Sequence, residues 1–427
     1  MPETASRTAE TQPTTAPLPV LVSSEIAPLR QVVVHTPGEE MRLVSPKNHA
    51  ELLFDDILFT ERAQEEHRVM CRLFREVVGA DDAVLQVSAL LREAFEREDA
   101  RHEFIALLAE RQPQRNFEAY ERELKQLSPD DLLAFAFTGQ SGLPLTTNPI
   151  PNLMFTRDLS AVVGEHIILS HAATPARARE SIIVRVIVRH HPRFAEVQDR
   201  VIELPPHVYF EGGDLLVASD KVVLIGQSER TSLGGVIAIT EALMQRTSVE
   251  HVLMVNLPKA RYCMHLDTVF TFAAPGECVV FPPIIEQARQ NVLHLTSTGE
   301  PGRFNMEVWP SLKPALEALT GRGFTFIHCG GDEPVNQQRE QWTDGANLFA
   351  LAPGLVVGYE RNSLTYDALR DHGYHVVEAQ DFLNYHSGNP IGSGGKVAIQ
   401  LRGHELSRGR GGPRCMTMPI LRTPSDE

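Results

Sequence analysis

Glu211-Gly-Gly-Asp-Leu-Leu-Val217 runs on into Val222-Val-Leu-Ile-Gly-Gln-Ser-Glu-Arg230, and much later Asp344-Gly-Ala-Asn-Leu-Phe-Ala350 runs on into Val356-Val-Gly-Tyr-Glu-Arg361. Both stretches follow one plan. A polar turn opens a short apolar strand, a tight turn reverses the chain, a second strand returns, and a helix start follows. Phe155-Thr-Arg-Asp-Leu-Ser-Ala161 followed by His166-Ile-Ile-Leu-Ser170 repeats that plan, and so does Met264-His-Leu-Asp-Thr-Val-Phe270 followed by Cys278-Val-Val-Phe281. Near the end, Arg414-Cys-Met-Thr-Met418 begins a fifth unit, which the N-terminal strand and helix could complete.

Strand-and-helix units recurring along a chain point to a radial arrangement rather than one doubly wound sheet. The expected fold is α/β, a five-fold pseudosymmetric α/β propeller. Its polar turns then converge on one axis, which brings together Asp158, Glu211 or Asp214, His265 with Asp267, Asn347 and Cys415.

Outside the repeat, Leu29-Arg-Gln-Val-Val-Val-His-Thr-Pro37 predicts a buried strand, and apolar spacing at Val69, Leu73 and Val77 predicts a helix ending near Val78. Ala83–Val87 predicts another strand. From Ser88 to about Phe137 the pattern is helical throughout, with Ser128 before Asp and Pro as an N-cap. The domain reading is therefore a leader over 1–20, a catalytic body over 21–87 and 148–427, and an inserted helical subdomain over 88–147.

A net charge of −15 disfavours a general nucleic-acid binder, which needs a basic surface. No apolar run is long enough to span a bilayer. The Thr-, Ala- and Pro-rich first twenty residues lack a signal-peptide layout. Five cysteines without paired spacing suit a reducing compartment and form neither a disulfide framework nor a zinc pattern. The expected location is cytoplasmic.

The chemistry centres on Ser407-Arg-Gly-Arg-Gly-Gly-Pro-Arg-Cys-Met-Thr-Met-Pro419. Glycines at 409, 411 and 412 allow unusual backbone angles and close approach, and Arg408, Arg410 and Arg414 favour a thiolate at Cys415. A thiol, a histidine and several carboxylates, without a metal motif or phosphate loop, point to covalent cysteine catalysis. Cys415 and His265 would also suit a thiol protease or amidase. Asp158 and Asp267, however, are acceptors only, and they suit a planar guanidinium better than an oxyanion.

The chain resembles the arginine deiminases. The matching motifs are Glu51-Leu-Leu-Phe-Asp-Asp-Ile57, Pro151-Asn-Leu-Met-Phe-Thr-Arg-Asp158, Phe210-Glu-Gly-Gly-Asp214, Met264-His-Leu-Asp267 and Arg410-Gly-Gly-Pro-Arg-Cys-Met416. The resemblance implies the propeller with its inserted helical domain, and hydrolysis of L-arginine to L-citrulline and ammonia without metal or cofactor. It makes Cys415 the nucleophile and His265 the acid and base, with Glu211 orienting His265 and Asp158 and Asp267 clamping the guanidinium. Arg177, Arg230 and Arg410 would hold the substrate carboxylate, and Leu53, Asn152 and Phe155 would line the pocket. A homo-oligomer is compatible with the sequence. The rival readings are an amidinotransferase, an agmatine deiminase, and a non-catalytic arginine-binding protein on the same scaffold.

Overall fold

The structure, a computed structural model, describes residues 19–111, 117–142, 146–385 and 395–424. The leader expected over 1–20 falls almost wholly outside these residues. The described residues fold as a mixed α/β protein with five separate sheets.

Each sheet is built on a pair of antiparallel strands joined to a parallel one. Ser160–Val163 pairs antiparallel with His166–Leu169, which pairs parallel with Val201–Ile202. Leu215–Val217, Val222–Gln227 and His251–Asn256 repeat this arrangement, as do Phe270–Ala274, Glu277–Val280 and Thr325–His328. In the fourth sheet Phe349–Ala352 pairs with Leu355–Tyr359, which lies parallel to Lys396–Leu401, and Tyr374–Glu378 closes the edge. The fifth joins the two ends of the chain: Met418–Arg422 pairs antiparallel with Leu29–Val34, and that strand pairs parallel with Val84–Gln86.

A parallel neighbour cannot be reached by a tight turn, so a crossover helix must intervene. Ala178–His190, Leu233–Arg246, Leu312–Thr320, Ser363–Asp371 and Thr60–Val78 supply those helices. Thr60–Val78 buries Ala63, His67, Met70, Cys71 and Phe74, a stripe at three- and four-residue spacing that faces the sheet. The parallel third strand of the first four sheets, Tyr374–Glu378 and one further antiparallel pair were not placed by the sequence reading. Val292–Ser297 and Phe304–Trp309 extend the second sheet antiparallel beyond His251–Asn256, and the outer strand is largely exposed.

Between Val87 and Thr138 the described residues form four helices, Val87–Phe95, Glu98–Arg111, Phe117–Leu124 and Pro129–Thr138. Ser128 caps the last, its Oγ accepting from the Asp131 N–H at 3.1 Å. Leu90, Leu91, Phe95, Phe104 and Phe135 of these helices share one apolar cluster with Ile183, Val186 and Ile187 of the first crossover helix. Among the described residues no helix is long and apolar enough to cross a membrane.

Candidate active site

Just before the first strand of each sheet the chain makes a polar turn, and hydrogen bonds join these turns to one another. The Arg157 N–H donates to the Cys415 carbonyl at 3.0 Å. The Cys415 N–H donates to Asn347 Oδ1 at 3.0 Å, and Asn347 Nδ2 donates to the Asp267 carbonyl at 2.9 Å. The Leu266 N–H donates to Asp214 Oδ1 at 2.9 Å. Arg177 completes the circuit by bridging Asp158 and Glu211, at 2.5 and 3.2 Å from Nη1.

Glycine permits this closeness. A Cβ on Gly213 would stand 2.8 Å from both Asp158 Oδ1 and His265 Cγ, and one on Gly411 would stand 2.4 Å from the Phe155 ring. Side chains at either position would push the site apart. The sequence reading also gave Gly409, Gly411 and Gly412 unusual backbone angles. The left-handed residue in that turn is instead Arg410, at φ 64°. Leu53 and Asp344, the latter opening the polar turn of the fourth sheet, have φ 66°. Non-glycine residues held in this region are strained, and such strain gathers at functional sites.

Leu53, Asn152, Phe155, Asp158, Arg177, Arg230, His265, Arg410 and Cys415 all line one enclosed cavity, together with Arg261, Met264, Thr268 and Gly409. Glu211 stands behind His265, with its Oε2 2.9 Å from Nε2. Asp267 stands beside the thiol, its carboxylate oxygens 3.8 and 3.9 Å from Cys415 Sγ. The cavity measures about 20 Å³. A water molecule needs roughly 10–15 Å³ on the same measure, so an arginine side chain enters only if the lining moves.

Burial alone would lower the pKa of His265. Asp158, the hydrogen bond to Glu211, and Asp214 outweigh it and hold the ring at about 9. The ring is therefore an imidazolium at neutral pH, with both nitrogens as donors. Burial would raise Glu211, but Arg177 first, then His265 and Arg230, bring it down to about 2.

Cys415 departs from expectation. Burial, followed by Asp267, Asp158 and Asp344, pushes the thiol well above its ordinary value, and Arg414 only opposes this. The arginines expected to favour a thiolate are engaged elsewhere. Arg408 is exposed and pairs with Asp56 at 2.8 Å. Arg414 pairs with Glu25 and Asp267.

Arg177 is paired with acids of the protein itself. Its Nε donates to Glu180 at 2.8 Å, Nη1 faces Asp158 and Glu211, and Nη2 donates to the carbonyls of Asn152 and Phe155. Its charge thus lies among the carboxylates. The donor atoms of Asp158, Glu211 and His265 lie within 4.8 Å of one another, close enough for a metal trio, and Arg177 is the cation already beside them. Arg230 and Arg410 retain spare donors: Arg230 Nε and Arg410 Nε and Nη1 are buried without a hydrogen-bond partner among the described residues. The Arg410 guanidinium stacks on Trp342 at 3.5 Å.

Sequence reasoning missed Arg261, Glu180 and Glu25. Arg261 pins the Leu53 carbonyl at 2.5 Å, which helps hold that residue left-handed. Arg261 and Glu25 act on partners distant in sequence, which no local pattern marks, whereas Glu180 pairs with Arg177 only three residues away, a spacing that could have pointed to it.

A family model described as arginine deiminase matches residues 50–142 and 118–422. The arginine deiminase of Listeria monocytogenes serovar 1/2a is 33% identical over 426 residues, covering 94% of this chain and 97% of its own. That of Limosilactobacillus fermentum is 34% identical, covering 95% and 98%. Among solved structures, an amidinotransferase of the saxitoxin biosynthetic pathway from Microseira wollei matches with a TM-score of 0.55 at 14% identity, over 96% of this chain and 99% of that one. Dimethylarginine dimethylaminohydrolase from Pseudomonas aeruginosa, complexed with citrulline, matches with a TM-score of 0.51 at 13% identity, over 92% and 99%. These two structures speak for the fold, and the sequence relatives speak for more. With about a third of its residues identical over nearly the full length of named relatives, the chain belongs to the arginine deiminase family.

Proposed function

We infer that this chain is an arginine deiminase, a hydrolase that converts L-arginine and water to L-citrulline and ammonia. The observation that carries the reading is a buried thiol, an imidazolium and Asp158 lining one cavity, with Asp267 beside the thiol and a guanidinium, that of Arg177, already seated on Asp158.

The substrate guanidinium replaces Arg177 on Asp158 and reaches Asp267, since both are acceptor-only groups suited to its donors. Arg177, freed from Asp158, then turns with Arg230 and Arg410 toward the substrate carboxylate. The carboxylates that, with burial, hold the thiol protonated are offset by the incoming cation, so Cys415 releases its proton to solvent when substrate is present, where the departing ammonia later takes it up as ammonium. Cys415 Sγ attacks the guanidinium carbon to form a tetrahedral adduct. His265 gives its proton to the departing amine, ammonia leaves, and an amidino-thioether remains on Cys415. The neutral imidazole then takes a proton from water, which attacks the same carbon. The C–S bond breaks, and citrulline and the free thiol are released. Glu211 holds the ring through both steps. Leu53, Asn152 and Phe155 shape the pocket wall. Charge of both signs comes from side chains, so no step requires a metal or cofactor.

The same reading includes a five-fold pseudosymmetric propeller, supported by the shared strand plan and by the hydrogen bonds between turns. It keeps 1–20 as a leader, 21–87 and 148–427 as the catalytic body, and 88–147 as an inserted helical subdomain, supported by the four helices found there. A cytoplasmic location is supported by five unpaired, buried cysteines. Substrate arginine is the partner proposed, with neither nucleic acid nor membrane, and a homo-oligomer is compatible with it.

The deciding experiment compares arginine with agmatine, which has the guanidinium but no carboxylate. Citrulline and ammonia should form from arginine without any acceptor amine, which an amidinotransferase would require. Agmatine should be about 10³-fold less efficient in kcat/KM, taking two lost charge-assisted bonds as roughly 4 kcal/mol. Equal efficiency on both substrates would remove the carboxylate role from Arg177, Arg230 and Arg410.

A further inference from the structure

Glu25 lies on the segment leading into Leu29–Val34, 389 residues from Arg414 in sequence, yet the two are paired in the interior. Arg414 Nε donates to Glu25 Oε2 at 3.1 Å and Nη2 donates to Oε1 at 2.9 Å, a two-pronged pairing of planar groups. The remaining nitrogen, Nη1, donates to Asp267 Oδ2 at 2.7 Å. Glu25 is fixed in turn, its N–H donating to the Val217 carbonyl at 2.8 Å. Thus one guanidinium lies between two carboxylates, and the second of these touches the thiol.

We propose that Glu25 is a positioning residue for the reaction: it takes up Arg414 so that Asp267 keeps an uncompensated negative charge facing Cys415 and the incoming guanidinium. With Glu25 present, the trio carries two negative charges and one positive. Without it, Asp267 and Arg414 would form a neutral pair, and the clamp would attract a cation less. Other charged groups act here as well. Arg157 and Arg422 bear on Glu25, which Arg414 foremost among its cations holds down to about 2 against the effect of burial. Asp158 and Asp344 face the thiol along with Asp267. Arg157 is attracted to both Glu25 and Asp267, but among the described residues Arg414 is the side chain that hydrogen-bonds the two.

This inference rests on the reading of Cys415 as nucleophile and Asp267 as clamp, and the test separates the two. The rate of Cys415 alkylation by iodoacetamide is followed against pH by peptide mass spectrometry in wild type, Glu25→Gln and Glu25→Asp, alongside KM and kcat for arginine. In Glu25→Gln the midpoint of the Cys415 profile should fall by about one pH unit, equivalent to tenfold in the ionisation constant. KM should rise about tenfold and kcat should change less. Glu25→Asp, which keeps the anion but shortens its reach, should shift the same way by less than half as much. A merely structural role would instead raise alkylation at every pH and expose Cys71, Cys263, Cys278 and Cys329 too, and that result would overturn the proposal. So would a Glu25→Gln midpoint within 0.2 units of wild type with KM within twofold. Should Glu25→Gln fail to fold, Glu25→Asp decides alone: a small downward midpoint shift supports the proposal, and wild-type values overturn it. Citrulline formation that survives full Cys415 alkylation would instead strike the nucleophile reading itself.

Discussion

The turns at Glu211–Asp214 and Asp344–Asn347 occupy the same place in two repeats, yet they do different work. In the first, Glu211 holds His265 at 2.9 Å, and Asp214 accepts from the Leu266 N–H. In the second, the position matching Glu211 is Asp344, whose Oδ2 is buried without a hydrogen-bond partner among the described residues, and the position matching Asp214 is Asn347. The loop carrying His265 and Asp267 is gripped from both sides: Asp214 accepts at its N–H, and Asn347 donates to its carbonyl. An ionised aspartate can only accept, whereas an asparagine offers one acceptor and one donor pair. Asn347 needs both, because its other end accepts from the Cys415 N–H. The repeat sets where a turn lies, and the residue at each slot decides what that turn can hold.

The sharpest way to break this comparison is to remove the group that the second turn presents. Cys415→Ser should abolish citrulline formation while circular dichroism stays unchanged, because a hydroxyl is far less ionised than a thiol. Wild-type enzyme quenched in acid during turnover should carry added mass on the Cys415 peptide, and mass on another cysteine would count against the assignment.

Next comes the group that the first turn presents. His265→Ala should lower kcat by roughly 10²–10⁴-fold. In wild type, kcat/KM should fall as pH rises through about 9, where His265 loses its proton. Linkage has the same sign: the raised His265 contributes stability that is complete below its ordinary value and lost as pH climbs through about 9. A Glu211→Gln variant should bring the alkaline limb of the profile to lower pH.

A smaller effect separates the two slots directly. Asn347→Asp places an acceptor against the buried Asp267 carbonyl and should cost about 3 kcal/mol in urea unfolding. Asp214→Asn keeps an acceptor for Leu266 but turns a donor toward Ser228 Oγ, which already accepts from the Arg230 and Thr231 N–H groups, so only the Ser228 bond is lost; it should cost about 1.5 kcal/mol. Burial already pushes Asp214 up to about 7, so a neutral side chain suits the place. Equal costs for the two substitutions would show that the slots are interchangeable.

The smallest effect belongs to Asp344→Asn, which should alter kcat/KM only a few-fold. Burial, only partly opposed by Arg410, raises Asp344 to about 7, so its stability contribution is complete at acid pH and lost as pH rises through 7. The asparagine variant should therefore gain more in urea midpoint at pH 8 than at pH 5, and an equal gain at both would contradict this.

Much of this molecule was legible in advance, for local reasons. Strand-turn-strand patterning at 155–170, 211–230, 264–281 and 344–361 reports burial on a short period. The hairpins Ser160–Leu169, Leu215–Gln227, Phe270–Val280 and Phe349–Tyr359 form where that patterning places them. The edge strands at 292–297 and 304–309 escaped notice because the outer one is mostly exposed, and a solvated strand carries little apolar signal. Arg408 illustrates the opposite failure: it looked like a neighbour of the thiol and points to solvent, because adjacency in sequence does not set direction.

The sequence by itself determined the repeat, the helical block and the set of chemical groups available, since each follows from short-range patterning and side-chain type. Only the tertiary structure decided the charge on those groups. Cys415 is a protonated thiol and His265 an imidazolium because burial and carboxylates from four different turns act on them at once. Arg177 and Arg414 are committed to acids because Glu211 and Glu25 arrive from elsewhere in the chain. Electrostatic energy depends on distance and on exclusion of water, and both are fixed only when segments far apart in sequence are packed together.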